Sequence, residues 1–147
     1  MKRIASDQVR AEINRFWLIL SGKSKDRLEE LYSSDAIVFT GKARRPEPSM
    51  LAMARRARRS PASGSTASAE LGPVELQIAD DVAVASYTYK YQEDKTGGDG
   101  GRSQRNTLYG RATQIFQSDN KGTIKIVHEH LSAAVAPDEG KTSAKEP

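Results

Sequence analysis

The chain has 147 residues, a length that suits one domain around one core, and its 37% hydrophobic and 29% charged content is ordinary for a globular protein. The absence of Cys excludes disulfides, thiolate nucleophiles and Cys-ligated zinc, and two His leave too few imidazoles for a closed zinc site. The net charge of +4 is a modest excess with much of it in one run, ARRARRS at 54–60, which a solvated helix face explains; nucleic acid is not an expected partner, since no recognition module accompanies the run.

From Ser6 to Leu20 the apolar residues Val9, Ile13, Phe16, Trp17 and Leu20 recur at helical spacing, with Ser6 as the expected N-cap and Gly22 just past the end. A second, shorter helix is predicted over Lys25–Tyr32, capped by Ser24, and a third over Ser49–Arg59 after the proline-bearing loop 44–48. The opening MKRIASDQVRAEINRFW lacks the apolar segment of a secretory leader, and no apolar run nears the roughly 20 residues that cross a bilayer. A cytoplasmic location with no membrane association is therefore expected.

Short β-branched runs predict the strands. AIVFT at Ala36–Thr40 comes first, followed by Ala67–Ile78 interrupted at Gly72-Pro73, then Val82–Gln92 entered through the Asp80-Asp81 turn. Asn106–Gln117 and Ile124–Ala133 flank the turn-forming SDNKG and complete the set as a hairpin. Glu93–Arg102 holds four glycines and reads as a flexible loop. A single domain over 4–135 is expected, with 136–147 a disordered tail that lacks the apolar surface to pack. Helices first and then strands at hairpin spacing define an α+β class, with helices covering one face of a mostly antiparallel sheet.

The order of elements, the segment SGKSKDRLEELYSSDAIVF at Ser21–Phe39 and the terminal KIVHEHLS at Lys125–Ser132 resemble the nuclear transport factor 2-like superfamily, with SnoaL-like domains and the association domain of calcium/calmodulin-dependent protein kinase II as the nearest likenesses. The resemblance runs from about Val9 to Ala133. It implies a cone-shaped curved sheet wrapped by three N-terminal helices, a pocket at the wide end, and a homodimer through the outer sheet face. Three pocket arginines of the kinase association domain correspond here to Thr88, Gln114 and Leu131, so an anion pocket of that kind is not expected.

Residues two apart on a strand share a face. Taking those three positions as inward brings Glu129 and Val127 in beside Leu131, Ser86, Val84 and Lys90 beside Thr88, and Ala112 and Phe116 beside Gln114. The expected substrate-binding set is then Thr88, Gln114, Leu131, Phe116, Ser86, Lys90 and Phe39, closed from the helical side by Tyr32 and Trp17. Glu129 is the leading catalytic candidate, because a carboxyl in an apolar cavity has its proton affinity raised into the range of general acid–base work. Its bland alternative is a structural ion pair with Lys90 or Arg111.

His128 and His130 compete for the catalytic role, since imidazole titrates closest to neutrality. Parity places both on the outer face, roughly 7 Å apart along the strand, where hydrogen bonds to neighbouring strands or a dimer face account for them. No third ligand accompanies them, so no metal is expected. A one-residue slip would turn them inward and Glu129 outward. Tyr87, Tyr89 and Tyr91 form a stripe at period two, expected as dimer surface with Tyr109, Arg111 and Ile115.

The functional expectation is a pocket protein of the SnoaL-like type that binds a small organic molecule, and an isomerase, cyclase, dehydratase or hydrolase working without a cofactor if it is an enzyme. The alternative is a non-catalytic homo-oligomeric association module. A weaker third reading, nucleic-acid binding by the arginine run and tyrosine stripe, predicts affinity that falls steeply with salt.

Overall fold

The computed structural model describes residues 3–40, 66–95 and 104–135. Helix α1 spans Ser6–Leu20 and buries the stripe Val9, Ile13, Phe16, Trp17, Ile19 and Leu20. Its N-cap is Ala5 rather than Ser6, with no side-chain capping bond. The helix ends where Gly22 takes φ 73°, a left-handed conformation that costs glycine little, and the Gly22 N–H closes on the Ile19 carbonyl.

The second predicted helix is shorter than expected. Only Leu28–Leu31 coil, as one turn of 3-10 helix that buries Leu28 and Leu31, while the Ser24 hydroxyl caps a local turn by accepting from the Asp26 N–H. Tyr32 already belongs to the next strand, so four residues read as helix or turn are extended instead. The third predicted helix, 49–59, and the arginine run lie outside the described residues, as do the glycine-rich stretch from 96 and the tail from 136. Among the described residues, one α-helix covers the sheet where three helices were expected.

Six strands form one open, mixed sheet: β1 (Tyr32–Thr40), β2 (Thr66–Leu71), β3 (Glu75–Ala79), β4 (Val82–Lys95), β5 (Gln104–Ser118) and β6 (Ile124–Val135), in the order β1-β6-β5-β4-β2 with β3 also on β4. All pairings are antiparallel except β1 with β6, which is parallel. The interruption at Gly72-Pro73 separates β2 from β3, so β4 takes β3 along its first half and β2 along its second. Asp80 adopts φ 53° in the β3–β4 turn. In the β5–β6 hairpin Asp119 Oδ1 accepts from the Lys121 and Thr123 N–H groups, which holds its carboxyl below the usual range, and Gly122 supplies the positive φ.

The core lies between α1 and one face of the sheet. That face presents Ala83, Ala85, Tyr87, Tyr89 and Tyr91 from β4, Ala112, Gln114 and Phe116 from β5, and Ile124, Ile126, Glu129 and Leu131 from β6. Between Ile126 and Glu129 the strand carries one extra residue: Ile115 pairs with His128 and Phe116 with Ile126, leaving Val127 as a bulge. Val127 was expected to point inward with Glu129; Ile126 takes that place instead.

Candidate functional site

Strand parity decides what β4 contributes, and it is the reverse of the sequence expectation. Tyr87, Tyr89 and Tyr91 point into the core, whereas Ser86 and Thr88 are exposed on the opposite face and Lys90 is half-buried there with its ammonium 5.9 Å from the Tyr109 ring centroid. The inward orientation of Thr88, Ser86 and Lys90 is thereby corrected, and so is the reading of the tyrosine stripe as dimer surface. The physical reason is the hydrophobic alternation itself. Ala83 and Ala85 continue the tyrosine parity, and one apolar set on a strand belongs on the buried side.

On β5 and β6 the expected inward residues do meet. Gln114 and Glu129 are register partners, Leu131 is the partner of Ala112, and Phe116 is buried beside them. His130 is exposed and His128 half-buried, both turned away from the core. Phe39 pairs in register with His130, but its side chain lies outside the described residues. Trp17 and Tyr32 arrive from α1 and β1 and join the group.

These side chains form one continuous polar chain through the core. Trp17 Nε1 donates to the Tyr87 hydroxyl at 2.9 Å, which donates to Gln114 Oε1 at 2.6 Å. Gln114 Nε2 donates to Glu129 Oε1 at 2.8 Å, and the Tyr32 hydroxyl lies 2.9 Å from each Glu129 oxygen. Tyr87 is the member that sequence reasoning placed on the wrong face. Two further tyrosines anchor on backbone: Tyr89 on the Ser132 carbonyl and Tyr91 on that of Leu20, with the Tyr89 ring 4.7 Å from Trp17.

Glu129 is 0% exposed. Its described hydrogen-bond partners are neutral, and neither Lys90 nor Arg111 is among them, so the ion pair weighed from sequence is replaced by an amide and a phenol. Burial penalises the charged form and pushes its carboxyl from 4.5 up to about 7, against the opposing pull of the Gln114 and Tyr32 hydrogen bonds. The same burial and the nearby carboxylate raise Tyr32 well above its ordinary value and push Tyr89 up to about 12, so both stay neutral donors. The site thus holds one carboxyl that exchanges a proton near neutral pH, within a cage of groups that do not.

Among the described residues no cluster of three or more His, Cys, Asp or Glu could hold a metal ion. No helix there is long and apolar enough to cross a membrane. A hollow of about 290 Å³ opens beside the end of α1, lined by Asn14, Trp17, Leu18, Ser21, Ala69 and Leu71 among others, and so reaches the Trp17 end of the polar chain. A second, of about 540 Å³, lies over the β5–β6 turn against Gln8, Glu12, Arg15 and Lys125.

The family model for the SnoaL-like domain matches residues 9–136, and the chain belongs to that family. A comparison with curated proteins finds no match. Solved structures share the fold at low identity. A conserved protein from Planctomyces limnophilus superposes with a TM-score of 0.70 at 16% identity, covering 88% of this chain and 95% of its own. The beta subunit of the benzoate 1,2-dioxygenase from Burkholderia mallei gives 0.68 at 18%, covering 91% and 93%. A nuclear transport factor 2-like superfamily protein from Salmonella enterica gives 0.61 at 20%, covering 93% and 96%. The resemblance drawn from the order of elements, Ser21–Phe39 and Lys125–Ser132 is therefore correct at the level of superfamily and fold.

Proposed function

We propose that the protein binds a small, neutral or weakly polar organic molecule entering by the hollow beside Trp17, which meets one end of the polar chain, and that Glu129, sealed among packed side chains at the other end, moves a proton on it once the ligand displaces them. The observation that carries this reading is the state of Glu129: fully buried, held by two neutral donors, and poised at about 7. A carboxyl near that value is populated both as base and as acid at working pH, which general acid–base catalysis requires. Isomerisation, cyclisation, dehydration and hydrolysis can all use such a group. Gln114 and Tyr32 hold the carboxylate, while Leu131 and Phe116 give it apolar surroundings. Thr88, Ser86 and Lys90 drop out of the substrate shortlist because they face away.

The test is a panel of hydrophobic acids, lactones and polyketide-like compounds, followed by melting temperature and then by turnover. At least one compound should raise the melting temperature, and Glu129→Gln should keep binding while abolishing turnover. A panel that leaves the melting temperature unmoved at millimolar concentration removes the reading.

A second reading, a homo-oligomeric association module, is favoured by the outer sheet face. Ile37 and Tyr109 are 43% and 46% exposed there, and a structural relative is itself one subunit of a larger enzyme. Light scattering decides it: a dimer at micromolar concentration that Tyr109→Glu dissociates supports it, and a clean monomer removes it.

A further inference from the structure

The polar chain through the core runs one way, and that direction has a chemical consequence. Trp17 Nε1–H can only donate, so the Tyr87 oxygen accepts from it and the single Tyr87 hydroxyl proton goes on to Gln114. The end of Gln114 that meets Tyr87 must therefore be the carbonyl. Its NH2 is left facing Glu129, 2.8 Å from Oε1. In the flipped amide the Tyr87 oxygen would face two donors, its own proton would have no acceptor, and a carbonyl would lie against the carboxylate. Each of those contacts is unfavourable in a buried site.

We propose that Trp17 and Tyr87 are positioning residues: acting through Gln114, their donor chain fixes which end of the amide meets Glu129 and so presents an N–H to the carboxylate in place of a carbonyl. Neither residue touches Glu129 in the described hydrogen bonds. Trp17 is 4% exposed and packs against Phe16 and Tyr89 at ring-centroid distances of 5.0 and 4.7 Å, so the first donor is held by the helix–sheet packing itself. α1 thereby sets the polarity of an amide on β5, one strand beyond the strand it bonds. The ionisable side chains facing Glu129 from the packed elements are Tyr32 of β1 and Tyr87 and Tyr89 of β4; α1 and β5 contribute the neutral Trp17 and Gln114. For its bearing on catalysis this assignment rests on Glu129 being the reacting group; the positioning itself does not.

The experiment titrates Glu129 in the ligand-free protein, by carbon-13 NMR of labelled glutamate carboxyls assigned with Glu129→Gln. Tyr87→Phe removes the hydroxyl that pins the amide, and the Glu129 midpoint should climb by about one pH unit, at most the size of one hydrogen bond to a charged group. Gln114→Leu removes the amide altogether and should raise it at least as far. Ser86→Ala, on the opposite face, should leave it in place. Should Tyr87→Phe not fold, Trp17→Phe, which frees the Tyr87 hydroxyl to accept, should shift the midpoint upward by a smaller amount. A midpoint that moves in Gln114→Leu but not in either upstream variant overturns the relay. A midpoint that moves in none of them shows that the amide does not act on the carboxylate, which also overturns it. Because no ligand is present, these outcomes are independent of whether any compound in the binding panel is turned over.

Discussion

Tyr32 and Glu129 stand 97 residues apart in the chain, yet the phenol of one bridges both carboxyl oxygens of the other at 2.9 Å. The contact exists because β1 runs parallel to β6 at the edge of the sheet, an arrangement that no hairpin produces and that places the first strand beside the last. The Tyr32 donor favours the ionised form and partly offsets burial. Tyr32→Phe should therefore raise the Glu129 midpoint above about 7, shifting in the same direction whichever limb of a pH–rate profile Glu129 governs, the acidic one if it works as base and the basic one if it works as acid. A profile left in place would show that Glu129 is not the group being titrated.

The raised carboxyl also predicts a pH dependence of stability. Glu129 holds its proton to about 7 when folded and to about 4.5 in the unfolded chain, so the folded state binds more protons between those values. Its favourable contribution is complete below the lower value and is lost as pH rises through the upper one, on the order of 3 kcal/mol in all. Urea unfolding at pH 5 and pH 8 should show wild type losing stability over this interval, with Glu129→Gln flatter and at least as stable at pH 8. Equal slopes for the two proteins would place the titration elsewhere.

A third prediction tests the parity of β4. Ala85 is buried opposite Gln114, and Ser86 is exposed beside it. Ala85→Leu should cost about 1–3 kcal/mol by overpacking, while Ser86→Leu should stay within about 0.5 kcal/mol. The reverse order in thermal or chemical unfolding would turn the strand over.

Gly110 supplies a fourth. It is the register partner of Tyr89, and an added Cβ there would collide with the Ser132 carbonyl and the Tyr89 ring, the two groups joined by the Tyr89 hydrogen bond. Both lie on or across neighbouring strands and cannot swing clear. Gly110→Ala should destabilise by about 1–3 kcal/mol, read as a lower urea midpoint with loss of near-ultraviolet tyrosine dichroism.

Much of this was legible in the amino-acid order, and the rest failed for identifiable reasons. The stripe Val9, Ile13, Phe16, Trp17 and Leu20 repeats at a single period, which makes α1 legible to its last residue and places its cap one residue late, at Ser6 in place of Ala5. The strands were found because β-branched runs end at Gly72-Pro73, Asp80-Asp81 and SDNKG, though their ends were set short by up to four residues. The family likeness and period two bring Glu129, Gln114, Tyr32 and Trp17 to one place, and their side chains do meet there in one hydrogen-bonded chain that includes Tyr87. Period two states which residues share a side and not which side, and on β4 an anchor placed at Thr88 overrode the apolar alternation of Ala83, Ala85 and the tyrosines. Tyr87 was lost with it. The helix predicted over Lys25–Tyr32 shrank because Tyr32 is claimed by a strand partner nearly a hundred residues away, a long-range contact that local propensity does not carry.

The bulge at Val127 leaves one last consequence, for length changes in the final strand. Dropping that surplus residue would return Ile126, His128 and Glu129 to plain alternation with the Glu129 carboxyl still turned inward, so the strand is expected to tolerate losing one residue there. A deletion two positions later has no such slack: it would invert every side chain that follows, turning Leu131 to the solvent side and Ser132 into the core, and natural shortening of this hairpin is accordingly expected to cluster at the bulge.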